Sequence, residues 1–107
     1  MNIIQLIGKN TQEVELRQVG EHVVTTLTLE VRRDFRNPDG NYDYDVIPIT
    51  LWEGIALSAK EYCEKNLYVH VRGRIVQRKY EKEDKQYSFI EIIGEKVALL
   101  PNQYKGA

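Results

Sequence analysis

The chain has 107 residues, of which 42% are hydrophobic and 29% are charged, and its formal net charge is −1. This length predicts one domain with a single modest core. The lone cysteine excludes an intrachain disulfide and a thiolate zinc cage, and no apolar run approaches the roughly 20 residues of a membrane span. The first residues lack the basic and apolar regions of a secretory signal, so we expect a cytoplasmic protein.

Alternating and β-branched runs predict five strands. In chain order they cover residues 2–9, with a short extension over 11–18, then 23–33, 42–52, 67–80 and 86–100. Residues 53–66 change to helical spacing, with Cys63 on the apolar side as an inert core thiol. Residues 81–85 predict a charged hairpin connector. Pro48 cannot donate to a ladder, so its position requires a sheet edge or a bulge.

The order of these elements predicts an all-β fold. Five strands with one short helix between the third and fourth are typical of the OB-fold, a Greek-key barrel that binds nucleic acids on strands two and three. We assign residues 1–100 to this domain and residues 101–107 to a short polar end.

The fourth predicted strand has two unlike faces. One face is first apolar and then polar, whereas the other presents Arg72, Arg74 and Arg78 and ends in Tyr80. Guanidinium groups that lead to an aromatic ring suit a polymer with charged backbone and flat bases, which indicates a nucleic acid. The alternative is a solvated outer face whose arginines only keep the protein soluble.

Other aromatic residues stand near cations at strand ends or in predicted loops. Phe35 neighbours Arg32, Arg33 and Arg36, and Trp52 closes the third strand. Bases that stack on such rings gain about 1–3 kcal/mol each. Two alternatives stay open, in which Phe35 folds back over the core edge and Trp52 is buried.

The sequence does not favour an enzyme. His22 and His70 are the only histidines and do not form a ligand-spaced pair. Cys63 has no histidine nearby, and no glycine-rich phosphate loop exists. We therefore predict no catalytic residue, no metal and no cofactor.

Short segments distributed over nearly the whole chain resemble the bacterial and phage single-stranded DNA-binding proteins (SSB). They are Ile4-Gln5-Leu6-Ile7-Gly8, Val14-Glu15-Leu16-Arg17, Leu27-Thr28-Leu29-Glu30-Val31, Leu51-Trp52-Glu53-Gly54-Ile55-Ala56, Glu61-Tyr62-Cys63-Glu64-Lys65, Val71-Arg72-Gly73-Arg74-Ile75 and Arg78-Lys79-Tyr80. Their order and spacing make the resemblance specific.

This resemblance implies an OB-fold protomer that binds single-stranded DNA with little sequence preference in replication, recombination or repair. It implies a homotetramer, with a homodimer as the alternative, that is cytoplasmic and associated with the nucleoid. By position, Phe35, Trp52 and Tyr80 match stacking residues. The family's further ring falls near Val46, for which Tyr44 could substitute. The expected phosphate contacts are Lys9, Arg32, Arg33, Arg36, Arg72, Arg74, Arg78 and Lys79.

Two departures from the family pattern bear on these expectations. The family's glycine before the fourth strand is Asn66 here, and residues 101–107 do not match its acidic, phenylalanine-ended tip, so tail-mediated replication partners are not expected. Two other functions stay open: an OB-fold protein-interaction subunit of a primosome or replication assembly, and a binder of single-stranded RNA.

Overall fold

The computed structural model describes residues 1–101. Its elements are β1 (Ile4–Asn10), β2 (Arg17–Val19), β3 (His22–Arg36), β4 (Tyr42–Trp52), α1 (Glu53–Tyr62), β5 (Tyr68–Lys82) and β6 (Lys85–Leu99). Of the predicted polar end, residues 102–107 lie outside the described residues. In the described part, no helix is long and apolar enough to span a membrane.

The five long strands close into a barrel around one core. β1 pairs with β5, β5 with β6, β6 with β4, β4 with β3, and β3 returns to β1 through Lys9 and Asn10. All of these pairings are antiparallel except β4–β6, which is parallel at Thr50 and Ile93. The predicted OB-fold, with one short helix after the third long strand, is confirmed.

Strand alternation explains which side chains fill the barrel. The inward residues of β3 and β4 meet those of β5 and one face of α1, and all are less than 5% exposed. The central members are Leu27, Leu29, Ile49, Leu51, Val69, Val71, Ala56, Ala59 and Cys63. Because successive residues point to opposite sides, the alternate residues of the same strands face outward and are available for binding.

Two glycines permit the close packing of β6 against β5 and against the inward side chains of β4. A Cβ on Gly73 would overlap the carbonyl oxygen of Ile93, and a Cβ on Gly94 would overlap the side chain of Leu51. The β5–β6 register shifts between Arg72 and Gly73, where these glycines pair. The tight contact therefore closes the barrel at the root of the β5–β6 hairpin.

The structure differs from the sequence prediction after the first strand. Residues 11–16 form no strand, and the chain turns at Gly20, whose φ is 62°, so that β2 pairs with β3 instead of extending β1. The predicted extension over 11–18 is therefore wrong. A positive φ is easily adopted by glycine, and the resulting reversal brings β2 back against β3.

The helix also ends earlier than its pattern predicts. The side-chain amide of the buried Asn10 donates to the carbonyls of Cys63 and Glu64 at 3.1 and 3.3 Å, and its backbone carbonyl accepts from Asn66 at 2.7 Å. Asn66 has a φ of 75°, a left-handed conformation that asparagine tolerates, which explains how it occupies the family's glycine position. These bonds tie the end of α1 to β1.

Candidate nucleic-acid interface

The outward face of β3 and β4 forms the centre of the candidate site. Its pairs across the two strands are Thr26 with Thr50, Thr28 with Pro48, Glu30 with Val46, and Arg32 with Tyr44. β4 touches β6 at Thr50 within the described chain, so Pro48 lies where β4 has no second neighbouring strand. This placement meets the requirement of proline for a strand edge.

Trp52 lies at one end of this face, where β4 gives way to α1. Its indole is partly exposed, and its ring centroid is 6.1 Å from that of His22 in an edge-on arrangement. His22 Nδ1 is 3.4 Å from a carboxylate oxygen of Glu53, which also accepts from the backbone nitrogen of Val23 at 2.8 Å. The indole therefore belongs to the rim of the sheet rather than to its core.

Phe35 lies at the other end, in the β3–β4 hairpin. β3 extends to Arg36, so Phe35 belongs to a strand rather than to a loop, and it is 71% exposed. The alternative in which this ring folds back over the core edge is therefore wrong.

The arginines beside Phe35 are held by neighbours on β4. The guanidinium carbons of Arg32 and Arg36 lie 4.1 and 4.8 Å from the centroid of the Tyr42 ring, in cation–π contact. Arg33 donates to both carboxylate oxygens of Asp45, with a shortest distance of 2.9 Å. Two arginines are thus oriented by a ring, whereas the third is paired with an acid.

The Arg33–Asp45 pair shifts the pKa of both groups. The hydrogen bond from Arg33 lowers the pKa of Asp45 below its ordinary 3.8, and the bond to Asp45 raises the pKa of Arg33. Both side chains are exposed, so solvent screens their attraction. A phosphate can therefore compete for Arg33.

The β5–β6 hairpin carries a second group of rings. Tyr80 stacks on Tyr87 with centroids 5.2 Å apart and an angle of 18° between planes, and its centroid is 6.2 Å from that of Phe89. The three rings are 50%, 42% and 50% exposed, respectively. They form a cluster on the outward face of the hairpin, which we call the ring cluster (Tyr80, Tyr87 and Phe89).

Glu91 joins this hairpin to the central face. Its carboxylate accepts from Thr50 Oγ1 at 3.0 Å and from Arg78 Nε at 2.8 Å. Since Thr50 also belongs to the outward face of β4, these bonds connect that face with the surface that carries the ring cluster. The outward surface therefore runs from Tyr44 across β4 to Trp52 and the β5–β6 hairpin.

The sequence of the chain matches that of a known family over the whole barrel. The model of the Single-strand binding protein family matches residues 1–100. The chain belongs to this family. The resemblance that its short segments indicate is thus confirmed.

Curated relatives of this chain support the assignment. The chain is 34% identical over 109 residues to "Single-stranded DNA-binding protein 3" of Listeria innocua. That alignment covers all of this chain and 68% of the relative. It is 37% identical over 84 residues to "Single-stranded DNA-binding protein B" of Bacillus subtilis. That alignment covers 78% of this chain and 74% of the relative. A protein of Clostridium acetobutylicum, "Single-stranded DNA-binding protein 1", is 34% identical over 94% of both chains.

A solved structure shares the fold of this chain. The single-stranded DNA binding protein of Thermus aquaticus superposes with a TM-score of 0.82 at 22% identity, over 96% of this chain. The chain spans 52% of the length of that protein. At this identity the likeness supports the barrel architecture.

The structure does not bring all of the predicted phosphate contacts to one place. Lys79 pairs with Ser88 and lies on the face of the hairpin opposite to Tyr80. Arg72 lies between Gln5 and Lys96, on the part of the outer surface that β1 flanks. Lys9 lies beside Glu30, at the junction of β1 and β3.

Arg74 and Arg78 share the outward face of β5 with Tyr80, as the alternation predicts. Arg78 is bonded to Glu91, and Arg74 Nε is 3.8 Å from a carboxylate oxygen of Glu95. Like Arg33, these two arginines have carboxylate partners that a phosphate would have to displace.

Tyr42, Tyr87 and Phe89 are the site residues that sequence reasoning missed. The alternation of 86–100 places Tyr87 and Phe89 on one face, but only the pairing of Tyr80 with Tyr87 shows that they join a predicted site residue. Tyr42 precedes Tyr44 by two positions, so the same strand alternation could have indicated it. Within residues 1–101, no cluster of histidine, cysteine and carboxylate side chains could hold a metal ion.

Proposed function

We propose that this protein binds single-stranded DNA without catalysis and with little sequence preference, and protects it during replication, recombination or repair. The observation that carries the proposal is the outward surface that joins Trp52 to the ring cluster and its arginines, together with the exposed ring of Phe35 beside arginines on the β3–β4 hairpin. Exposed rings stack on any base, and guanidinium groups neutralise phosphates, so neither interaction requires a particular sequence. The names of the curated relatives support the same ligand.

The residues that we propose for contact are those predicted from the sequence. Stacking is assigned to Phe35, Trp52, Tyr80 and Tyr44; Tyr44 is 53% exposed on the same face as Val46. Phosphate contacts are assigned to Lys9, Arg32, Arg33, Arg36, Arg72, Arg74, Arg78 and Lys79. Residues 1–100 form the proposed binding domain, and the proposed compartment is the cytoplasm.

The binding assay titrates fluorescein-labelled oligo-dT at increasing salt and follows anisotropy together with Trp52 fluorescence. We expect tight binding at low salt, weaker binding as salt rises, and quenching of Trp52 as bases stack on it. Duplex DNA and a matched oligo-U serve as competitors. Absence of binding at low salt, or equal affinity for the duplex, would contradict the proposal. Preference for oligo-U would assign the site to RNA.

We also propose that the protein forms a homotetramer, or a homodimer at the least. Support comes from β1: Ile4–Gly8 pairs with β5 on one side, and no described strand pairs with its other edge. Ile3 and Ile7, on the outward face there, are 47% and 42% exposed. An unpaired edge beside apolar side chains favours association. Size exclusion with light scattering, with and without oligo-dT, measures the oligomer, and a monomer at micromolar concentration would contradict this assignment.

A further inference from the structure

We propose that His22 and Glu53 are positioning residues for the Trp52 indole, and that protonation of His22 tightens their hold on it. This inference rests on the proposed function, in which a base stacks on Trp52. It gives a role to two residues that belong neither to the stacking nor to the phosphate contacts. It also predicts that the affinity for single-stranded DNA depends on pH.

The first argument is the position of the two rings on the sheet. Trp52 is the last residue of β4 and pairs with Val24, and His22 precedes Val24 by two residues on the same face of β3. The ring centroids of His22 and Trp52 are 6.1 Å apart, and their planes meet at 84°. An edge-to-face arrangement is one of the geometries that aromatic pairs prefer. The imidazole therefore limits the rotation of the indole.

The burial of Val24 shows that this part of the outward face is packed. Strand alternation places Val24 on the outward side with His22, yet Val24 is only 1% exposed. Its partners on the two neighbouring strands are Trp52 on β4 and Arg17 on β2. Neighbouring side chains must therefore cover Val24, and the indole directly across from it is the largest of them. An indole that packs over the sheet in this way keeps its other side for a base.

Glu53 holds the imidazole from the side of the helix. It is the first residue of α1, and its φ of 54° lies in the left-handed region that favours glycine. One carboxylate oxygen accepts from the backbone nitrogen of Val23 at 2.8 Å and lies 3.4 Å from His22 Nδ1. A residue other than glycine keeps a positive φ where its surroundings hold it there. The contacts of Glu53 thus join the end of β4, with Trp52, to the start of β3.

The charge of His22 decides how firmly this contact holds. Histidine is the side chain that ordinarily changes its charge between about pH 5 and 8. In a neutral imidazole Nδ1 is either a donor or an acceptor, and only the donor form attracts the carboxylate of Glu53. The imidazolium always carries a proton on Nδ1. The hold on the indole is therefore firmest at low pH and weakens as the pH rises.

The other charged groups around His22 make no such contact. Within residues 1–101, Glu53 is the only acid within ion-pair distance of His22. The charged residue of β2 is Arg17, which donates to the hydroxyl of a threonine on β3 at 3.4 Å. Glu21 adjoins His22 in the turn before β3 and is exposed, and Glu91 of β6 is bonded to an arginine of β5. Solvent and salt screen the charges of these more distant groups.

The test follows Trp52, the only tryptophan of the chain, in the full-length protein. His22→Asn removes the imidazole, and His22→Phe keeps a ring that cannot be protonated. Glu53→Gln keeps an acceptor for the β3 amide but removes the charge. His70→Gln is the matched control, because it replaces the other histidine, which lies on β5 beside β1. Thermal unfolding shows whether each variant remains folded.

The first measurement is made without DNA, from about pH 8 to about pH 5.5. We expect the emission of Trp52 to change and its fluorescence anisotropy to rise as His22 gains a proton. His70→Gln should keep this pH profile, His22→Asn and His22→Phe should abolish it, and Glu53→Gln should reduce the rise in anisotropy. If His22→Asn keeps the profile of the unmodified protein, the imidazole does not hold the indole and the inference is wrong.

The second measurement is the Kd for labelled oligo-dT at about pH 6 and about pH 8, at several salt concentrations. We expect the unmodified protein to bind on the order of threefold more tightly at the lower pH, beyond any change that His22→Asn retains. At the higher pH His22→Phe should bind like the unmodified protein, because the edge-to-face contact remains. The slope of log Kd against log salt should be the same in His22→Asn, since His22 acts through Trp52.

The outcomes separate this inference from the proposed function. If the unmodified protein fails to bind oligo-dT, the proposed function is wrong and the inference falls with it. If that protein binds but shows the same ratio of Kd values at the two pH values as His22→Asn, only the inference is wrong. If His22→Asn lowers the salt slope at the lower pH by roughly 0.7, His22 holds a phosphate itself and is not a positioning residue.

Discussion

The β3–β4 and β5–β6 hairpins both carry rings and arginines away from the barrel, but they hold them in different ways. In the β3–β4 hairpin, Phe35 is 71% exposed, and the neighbouring arginines are oriented by Tyr42 or paired with Asp45. In the β5–β6 hairpin the rings pack on one another, and lysines occupy the tip. Exposed rings can thus be ordered by each other, whereas a lone ring remains free to move until its ligand binds.

Pairs of alanine substitutions give the largest expected effect and test this contrast directly. Each of Phe35→Ala and Tyr80→Ala should cost about 1–3 kcal/mol of binding free energy. Their double variant should lose the sum to within about 0.5 kcal/mol, because the two rings lie on separate hairpins. Tyr80→Ala with Phe89→Ala should instead deviate from additivity by more than about 0.5 kcal/mol, since these rings touch. Oligo-dT titrations of the single and double variants measure both couplings.

Additive losses for Tyr80 and Phe89 would remove the distinction between a lone ring and a cluster. Non-additive losses for Phe35 and Tyr80 would also contradict this distinction, because they would show that the two hairpins act as one unit. Thr28→Ser, on the central face, provides a control that removes no ring.

Tyr42→Leu should have an intermediate effect and tests how the β3–β4 hairpin orients its arginines. Loss of the ring removes two cation–π contacts of about 0.5–1 kcal/mol each, so Arg32 and Arg36 become more mobile before binding. We expect a severalfold rise in Kd for oligo-dT with an unchanged salt slope, because both charges remain. Tyr42→Phe, which keeps the ring, should bind like the unmodified protein. If Tyr42→Leu and Tyr42→Phe change the Kd equally, the ring of Tyr42 does not contribute to DNA binding.

Asp45→Asn should strengthen binding by about twofold, because it releases Arg33 for a phosphate. The slope of log Kd against log salt should rise by about 0.7 for the added contact. Asp39→Asn provides the matched control, since it removes one negative charge from the same hairpin without altering the Arg33 pair. If both substitutions change affinity equally, general charge rather than the release of Arg33 explains the gain.

The smallest expected effect is on the titration of Asp45. Because Arg33 lowers the folded-state pKa of Asp45, the pair stabilises the protein above the ordinary pKa of 3.8. That contribution is lost as the pH falls through the lowered folded-state value. Carboxyl NMR titration should show the pKa of Asp45 rising toward its ordinary value in Arg33→Gln. An unchanged titration would mean that the pair does not persist in solution.

Much of the fold follows from local pattern. The alternation of Val23–Arg33 and Tyr42–Trp52 predicts two half-buried strands, and their inward residues Leu27, Leu29, Ile49 and Leu51 are fully buried. The change to helical spacing after Trp52 predicts α1. The extension of the first strand was wrong because a turn at Gly20 pairs β2 with β3, and no local period encodes which strand a segment will pair with.

The candidate site was predictable residue by residue but not as a surface. Alternation correctly separates Tyr80, Arg78 and Arg74 from Lys79, since side-chain direction depends only on the backbone period. It does not show that Arg33 pairs with Asp45 or Arg78 with Glu91, because these partners are 12 and 13 residues away along the chain. Nor does it place Phe89 against Tyr80, which depends on the register of the β5–β6 ladder.

The sequence by itself therefore determined the order of the elements, the core and the family, because each depends on short-range periodicity and on residue identity along the chain. The tertiary structure decided which exposed rings share a surface, which arginines are already paired, and how the hairpin tip presents its lysines. Those properties depend on strand register, and register is set by the packing of both faces and the turns together. Side chains far apart in the sequence become neighbours only when that packing is complete.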